Sequence, residues 1–375
     1  KRLRDEFTSQ CDGLRKEIHD LAGGEFNVNS TKQLREILFE KLALTPGKKT
    51  KTGYSTDAAT LEKLKDSHPI IEKLLSYREV EKLRSTYGEG LLSCVDEDNR
   101  IRATFHQTVT RTGRLSSDAP NLHNIPVRTE AGKAFRKAFI PAKKHSLLVA
   151  DYNQIELRCI AHLADVTELK SAFNAGEDIH TAVASRTWGI KPEEIDYTLR
   201  NRAKMVSYGL IYGMEAYGLA QRLDVPVDEA SEILKAFFDA FPGVKSYMQE
   251  SIEIARKKGY TETLLGRRRK IPELLSNNFN VRQSGERQAM NAPIQGLAAD
   301  VFKIALVSID QELRKKSYKS ALVLQVHDEV ILEVATGEME DVKALVQKNM
   351  ENAYELSVEL KVDIETGKSW AEAKG

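Results

Sequence analysis

Two short apolar runs, each delivering an acid, limit what this chain can fold into more than any other feature of it. SLLVAD ends on Asp151, and LQVHDEVILEV sets Asp328 and Glu329 in a tight turn between two apolar segments. The first reads as a buried strand that runs into a carboxylate, the second as a hairpin. Acids at a hairpin turn are ordinary turn chemistry. If the strands are neighbours in one sheet, however, two carboxylates from distant parts of the chain face each other. At about 4 Å and an effective dielectric near 20, their repulsion is on the order of 4 kcal/mol. Such a pair draws cations. Oxygen-only ligation without a histidine cluster favours Mg²⁺ or Mn²⁺ over zinc. Two such ions about 3.5–4 Å apart would clamp the attacking and leaving oxygens of a phosphoryl transfer.

The rest of the chain is a helical frame around those strands. Residues 1–95 read as mostly helical: NSTKQLREILFEKL places Ser30 and Gln33 at capping-box spacing, with Leu34, Ile37, Leu38 and Leu42 as its apolar face. NRIRATFHQTVT has strand-type residues, and TGRLSSDAPNLHNIPVRT is a long polar segment. From Gln154 to about Tyr260 helical periodicity returns. RQSGERQAMNAPIQGLAADVFKIALVSIDQEL reads as a long helix interrupted or kinked near Pro293 and Gly296. A last helix is expected at 338–355 and a short strand near 359–364. Strands returning to one another across a helical insertion imply an α+β fold.

At 375 residues, with 41% hydrophobic and 30% charged, the chain is long enough for two or three domains and has a globular composition. No apolar run approaches the roughly 18–20 residues that cross a bilayer, so no membrane is expected as a partner. Cys11, Cys94 and Cys159 make neither a disulfide framework nor a CxxC metal pair, which fits a reducing, cytoplasmic setting. The net charge of +1 argues against a dedicated polyanion binder, but the local distribution does not. RKKGYTETLLGRRRK, residues 256–270, holds seven basic residues and one acid, and the loop TPGKKTKTGYS carries Lys48, Lys49 and Lys51 with no acid. Basic stretches of this kind suit a phosphate backbone, and equally a solvated charged face.

A second constellation lies in LRNRAKMVSYGLIYGM. Arg200, Lys204, Tyr208 and Tyr212 are spaced four apart, so on a helix they form one slowly drifting stripe. Two cations followed by two aromatics match a polyanion that carries a flat ring, and a nucleoside triphosphate has that form. The plainer alternative is an amphipathic helix with core tyrosines and solvated cations.

These motifs, in this order, resemble those of family A DNA polymerases, the bacterial DNA polymerase I group. DYNQIELR is similar to that family's motif A, RNRAKMVSYGLIYG to motif B and QVHDEV to motif C. TGRLSSDAPNLHNIPVRT, GYTETLLGRRRKIP and ERQAMNAPIQGLAADVFK resemble its flanking stretches. The resemblance runs from GEFNVNS at residue 24 to the end, and three ordered motifs with matching flanks make it specific.

It implies a right-hand polymerase architecture: a helical thumb at 1–95, an antiparallel-sheet palm at 96–165 and 281–375, and helical fingers at 166–280. Asp151, Asp328 and the backbone carbonyl of Tyr152 would hold two Mg²⁺ ions, with Mn²⁺ able to substitute and Glu329 in support. Arg200, Lys204 and His180 would grip the triphosphate, Lys204 also giving a proton to pyrophosphate. Glu156 would be the steric gate against a ribose 2′-OH, held by Tyr212. Tyr208 stands where many members have Phe, which implies ready acceptance of dideoxynucleotides. Arg114, Arg287, Asn291, Gln295 and His327 would lie at the primer terminus and its template, touching minor-groove acceptors that every base pair presents. His123 stands where many relatives carry Gln. Arg78, Lys82, Ser85 and the loop lysines Lys48, Lys49 and Lys51 would follow the duplex backbone.

The implied partners are a DNA primer–template and dNTPs, the implied state is a monomer, and the implied setting is cytoplasmic and nucleoid-associated. The chain starts inside the presumed thumb, so neither a proofreading nor a 5′ nuclease domain is expected in it. A single-subunit RNA polymerase is the rival enzyme, and Glu156 argues against it. A silent primer–template binding module has no need of facing carboxylates, and a structural helical protein explains neither the acids nor the phosphate face.

Overall fold

The computed structural model describes residues 1–51, 53–126 and 130–374. Residue 52 of the lysine-rich loop and residues 127–129 of the long polar segment lie outside the described residues. The chain divides into two compact units, Lys1–Thr104 with Ser117–Ala138, and Phe105–Ser116 with Phe139–Gly375. The expectation of a thumb ending at 95 rests on likeness of motifs; compactness draws its lines at Thr104 and Ala138.

The first unit is helical. Helix α1 (Arg2–Ala22) buries Cys11, Ile18 and Ala22 on one face and stops where Gly23 turns left-handed at φ 66°. Helix α2 (Thr31–Arg35) starts at Ser30, whose side chain accepts from the Gln33 N–H, and runs on as a π-turn over Glu36–Lys41. Only half of the expected capping box forms: Gln33 Oε1 accepts from the Asn27 N–H at 2.6 Å, because the chain before the helix loops back within reach. Helix α3 (Pro69–Lys82) has Pro at its first position, where the missing N–H has no intrahelical partner to lose. Ile18, Leu34, Leu38, Ile70, Ile71 and Leu74 are fully buried in the core these helices share.

The second unit is built on a four-stranded antiparallel sheet. Along the chain its main elements are β1 (His145–Tyr152), α4 (Ile155–Leu163), α5 (Ile179–Trp188), α6 (Tyr197–Ile211), α7 (Phe279–Lys315), β2 (Ala321–Val326), β3 (Glu329–Ala335), α8 (Met339–Glu351) and β4 (Val362–Gly367). The strand order is β4-β1-β3-β2. β1 and β3 are covered strands: Leu148, Ala150, Val330 and Leu332 are at 0% exposure on one face, and on the other Leu147, Val149 and Ile331 are buried beside Glu329 and Glu333. Burying a leucine of this kind stabilises by roughly 1.5–3 kcal/mol.

Several expectations are corrected. NRIRATFHQTVT contributes only the strand Thr104–His106, and the last helix and strand fall at Met339–Glu351 and Val362–Gly367. α7 is not interrupted: it runs through Pro293, although an interior proline disfavours a helix by about 3 kcal/mol. Burial of Ile294, Leu297, Ala298, Val301 and Phe302 along the same stretch offsets that loss. The same helix is long and apolar enough, by length and composition, to cross a membrane, which the sequence hid by interleaving Asn, Gln and Asp with the apolar residues. Most of that window is buried inside the protein, as in a core helix.

Candidate active site

The acids come together because β1 and β3 pair. Their register sets Asp151 directly across from Glu329, and the Tyr152 N–H donates to the Asp328 carbonyl at 3.2 Å. The turn between β2 and β3 is so short that His327 is held at φ 53°, the left-handed region that a β-carbon disfavours. That turn leaves Asp328 beside the end of β1. Tyr152 is itself locked, its buried hydroxyl donating to the Met350 carbonyl at 2.7 Å.

Around these carboxylates the charges are shared unevenly. One guanidinium nitrogen, Arg114 Nη2, donates to Glu156 Oε1 at 2.9 Å and to Asp328 Oδ2 at 3.2 Å. Glu156 is buried on α4 and accepts from the Tyr212 hydroxyl at 2.8 Å. Burial pushes the Glu156 carboxyl up, and Arg114 and Tyr212 only partly reverse this. Asp328 is pushed up by burial too, with Asp151 adding repulsion and Arg114 opposing it. The second cation comes from beyond β4: Lys374 Nζ donates to Asp151 Oδ2 at 2.6 Å and pairs with Glu329 Oε2. Trp370 Nε1 donates to the other Glu329 oxygen at 3.1 Å. Each acid is thus engaged by a donor of the protein. Among the described residues, no three acid, histidine or cysteine side chains stand close enough to hold a metal ion.

The charge pattern nevertheless fits a divalent ion. Asp151 and Asp328 repel each other, both have already drawn a cation, and the donors are hard oxygens.

Helix α6 carries the predicted stripe. Asp196 caps it, accepting from the Leu199 N–H at 2.7 Å, and Tyr212 ends it as the C-cap residue. Gly213 follows at φ 68°, and a β-carbon there would stand 2.8 Å from Arg287 Cγ, so glycine lets α6 stop against α7. Tyr208 is half-buried, and burial with the nearby Glu156, Asp328 and Asp151 charges pushes its hydroxyl up to about 12. Lys204 is exposed on the same helix. Arg200 grips Asp178 in a bidentate fork at 3.0 and 2.6 Å. Burial would raise Asp178, but the Arg200 fork and the Thr181 N–H it caps hold it down at about 2. His180 is 2% exposed, and burial lowers it to about 4, so it is neutral near pH 7. Its ring tilts against Tyr208 at 5.9 Å, and its Nδ1 has no partner among the described residues.

Arg287, Asn291 and Gln295 recur every four residues along α7, so they share one face. Arg287 reaches Glu215 at 3.7 Å, while Asn291 Oδ1 and Arg114 Nε are buried polar atoms with no partner among the described residues. His327 is exposed in the hairpin turn.

The remaining predicted residues belong to the first unit. Lys48, Lys49, Lys51, Lys82 and Ser85 are exposed there, with Lys49 over the Tyr54 ring at 5.9 Å and the Ser85 hydroxyl donating to the Glu81 carbonyl at 2.7 Å. Arg78 is engaged with the carbonyl and hydroxyl of Thr56. His123 sits in a 3₁₀ turn, Leu122–Asn124.

Sequence reasoning missed three participants. Asp178 had a legible signal, an acid three residues before Thr181 at a helix start. Trp370 and Lys374, in GKSWAEAKG, had none, since a mixed-charge segment gives no hint that it folds back on a distant strand.

Comparison with known proteins places the chain in a family. The sequence model of DNA polymerase family A matches residues 1–372. DNA polymerase I of Lactococcus lactis subsp. cremoris is 51% identical over 362 residues, covering 96% of this chain and 41% of that protein. DNA polymerase I of Bacillus subtilis is 47% identical over 376 residues, covering 100% of this chain and 43% of its own length. The chain therefore spans about two fifths of the curated relatives it matches. Among solved structures, the POL domain of Pol1 from M. smegmatis, in complex with DNA primer-template and dNTP, has a TM-score of 0.94 and 46% identity over all of this chain and 66% of its own. The α+β fold is similar to that domain throughout, and the chain belongs to DNA polymerase family A.

Proposed function

We propose that this chain carries the polymerase activity of a DNA polymerase I: template-directed addition of deoxynucleotides to a primer 3′-OH, with release of pyrophosphate. One observation carries this best. The β1–β3 register and the hairpin turn gather Asp151, Asp328 and Glu329 at one sheet end, and Arg114 joins Asp328 to Glu156, which in turn accepts from Tyr212. The solved M. smegmatis relative, in complex with primer-template and dNTP, supports the same partners for this chain.

Family A DNA polymerases are metal-dependent, and Asp151 and Asp328, with the Tyr152 carbonyl, are the residues that would hold two Mg²⁺ ions here. Bound ions neutralise charge on the transferring phosphate and lower the pKa of an attacking hydroxyl. The chain's own residues do the positioning. Arg200, released from Asp178, and Lys204 bind the triphosphate, and Lys204 gives a proton to the departing pyrophosphate. His180, being neutral, offers the phosphates an N–H rather than a charge. Tyr208 lies beside the base and the sugar 3′ position. Glu156, fixed by Tyr212 and Arg114, fills the space that a 2′-OH would need.

Arg114, Arg287, Asn291, Gln295 and His327 face the primer terminus and template, touching minor-groove acceptors that every base pair presents. His123 serves the same duplex. Lys48, Lys49, Lys51, Lys82 and Ser85 follow the phosphate backbone, with Arg78 holding the Thr56 turn beside them. In this assignment residues 1–95 act as thumb, 96–165 and 281–375 as palm, and 166–280 as fingers, in a protein working as a monomer in the bacterial cytoplasm.

The test is extension of a labelled primer on a DNA template with four dNTPs and Mg²⁺. Stepwise products that vanish in EDTA and in Asp328→Asn are expected. Salt-sensitive binding to the duplex without extension would overturn the catalytic assignment.

A further inference from the structure

The segment after β4 is built rather than loose. Trp370 is fully buried, its ring meets Phe139 edge-on at 5.5 Å, and its N–H donates to the Phe139 carbonyl at 2.9 Å. Gly367 lets the chain double back, since a β-carbon there would stand 2.6 Å from the Ala373 nitrogen. The Ala373 N–H donates to the Ser369 carbonyl at 3.0 Å, closing the turn that carries Lys374. Lys374 reaches Asp151 and Glu329 from that rigid seat, and Trp370 fixes the remaining Glu329 oxygen. Glu329 is therefore fully committed to the folded-back segment, and Asp151 has one oxygen covered by an ammonium.

From this geometry we infer that Lys374 is a built-in counter-ion for the metal site: it neutralises Asp151 and Glu329 when no divalent ion is bound, and yields Asp151 when one arrives. The inference rests on the assignment of Asp151 as a metal ligand. An ammonium within hydrogen-bond distance of Asp151 Oδ2 and a cation on that same oxygen are alternatives, because both want the same lone pairs and repel each other. Lysine suits this task better than arginine. It is a single mobile charge on a flexible stem that can swing aside while staying on Glu329. Glu329 then acts as the post to which the displaced lysine remains tied, and Lys374 is a positioning residue rather than one that touches substrate.

The experiment measures Mn²⁺ binding to the protein without DNA or nucleotide, by the loss of the free-ion electron paramagnetic resonance signal. Wild type, Lys374→Met, Lys374→Arg and Asp151→Asn are compared, with thermal unfolding of each in EDTA. Removing the competing ammonium in Lys374→Met is expected to tighten Mn²⁺ binding by on the order of tenfold. Lys374→Arg, which keeps a less readily displaced cation on the carboxylates, is expected to bind Mn²⁺ no more tightly than wild type. Lys374→Met is also expected to unfold at lower temperature in EDTA and to regain that loss as Mn²⁺ is added. A Lys374→Met affinity equal to wild type, at a site that Asp151→Asn abolishes, would overturn the counter-ion role while leaving the metal assignment standing. No Mn²⁺ binding that depends on Asp151 would instead overturn the metal assignment itself, and the inference with it. Lys374→Gln, closer in shape, repeats the measurement should the methionine variant fold poorly.

Discussion

Two arginine–glutamate clusters, one in each unit, show opposite electrostatics. In the first unit Arg84 pairs with Glu81 through two 2.8 Å bonds and with Glu89 at 2.5 Å, all within one stretch of helix. The Arg84 guanidinium holds the Glu81 carboxyl below its ordinary range. In the second unit Arg114 faces Glu156 and Asp328, drawn from three distant parts of the chain, and burial pushes both carboxyls up despite it. Each cluster sets one guanidinium against two carboxylates, yet the balance differs. A pair made by neighbours on a partly solvated helix is self-contained. Where one guanidinium must serve a buried and a partly buried acid, desolvation wins and the site keeps an appetite for more positive charge.

The strongest way to break that contrast is Asp328→Asn. Primer extension is expected to fall by on the order of 10³-fold, comparable to losing a main electrostatic element of a site. Glu81→Gln is expected to leave extension rates within about twofold and to lower stability by about 1 kcal/mol. Equal losses of activity in the two variants would erase the distinction between the clusters.

Next in size is Tyr208→Phe, which removes a hydroxyl lying near the three acids. Discrimination against dideoxynucleotides is expected to rise by about 100-fold, the worth of one hydrogen bond to a charged group in a buried site. Competition between chain terminators and dNTPs on one primer measures it, and unchanged selectivity would remove Tyr208 from the sugar pocket. Glu156→Ala, which also strands the Tyr212 hydroxyl, is expected to raise ribonucleotide incorporation by a few tens of fold. Equal sugar preference in variant and wild type would show that the gate lies elsewhere.

The smallest effect concerns stability alone. His180, lowered to about 4 from an ordinary 6.5, is neutral in the folded protein while the unfolded chain takes up a proton. The stability it contributes is present above about pH 6.5 and lost as pH falls toward 4, by up to about 1.4 kcal/mol per pH unit. Denaturant unfolding at a series of pH values should show that slope in wild type and a shallower one in His180→Gln. Identical slopes would mean that His180 is solvated.

What was legible in the sequence follows the same division. Asp151, Asp328 and the α6 stripe could be read because strand alternation, turn chemistry and helical spacing are local codes. The expectation that Glu156 and Tyr212 meet came from family resemblance, and the structure places their oxygens 2.8 Å apart. Neither source suggested that Arg114 lies across Glu156 and Asp328, or that Lys374 covers Asp151. Those contacts depend on how separate loops return to the sheet, which no local pattern encodes. The interruption expected in α7 near Pro293 does not occur for the reverse reason: a local rule was overruled by burial along the whole helix.

The register that sets Asp151 opposite Glu329 also bears on how such a chain is made. A ribosome finishes β1 long before it reaches the hairpin, and β1 lies between β3 and β4 in the sheet. Until those later strands emerge, Asp151 ends a strand with neither neighbour in place, and the acids are only isolated charges on a growing polypeptide. An interrupted chain stopping at Ser320 would possess helix α6 and yet lack the partners that give Asp151 its company. Nascent chains should therefore keep these acids unassembled until β3 and β4 have both emerged.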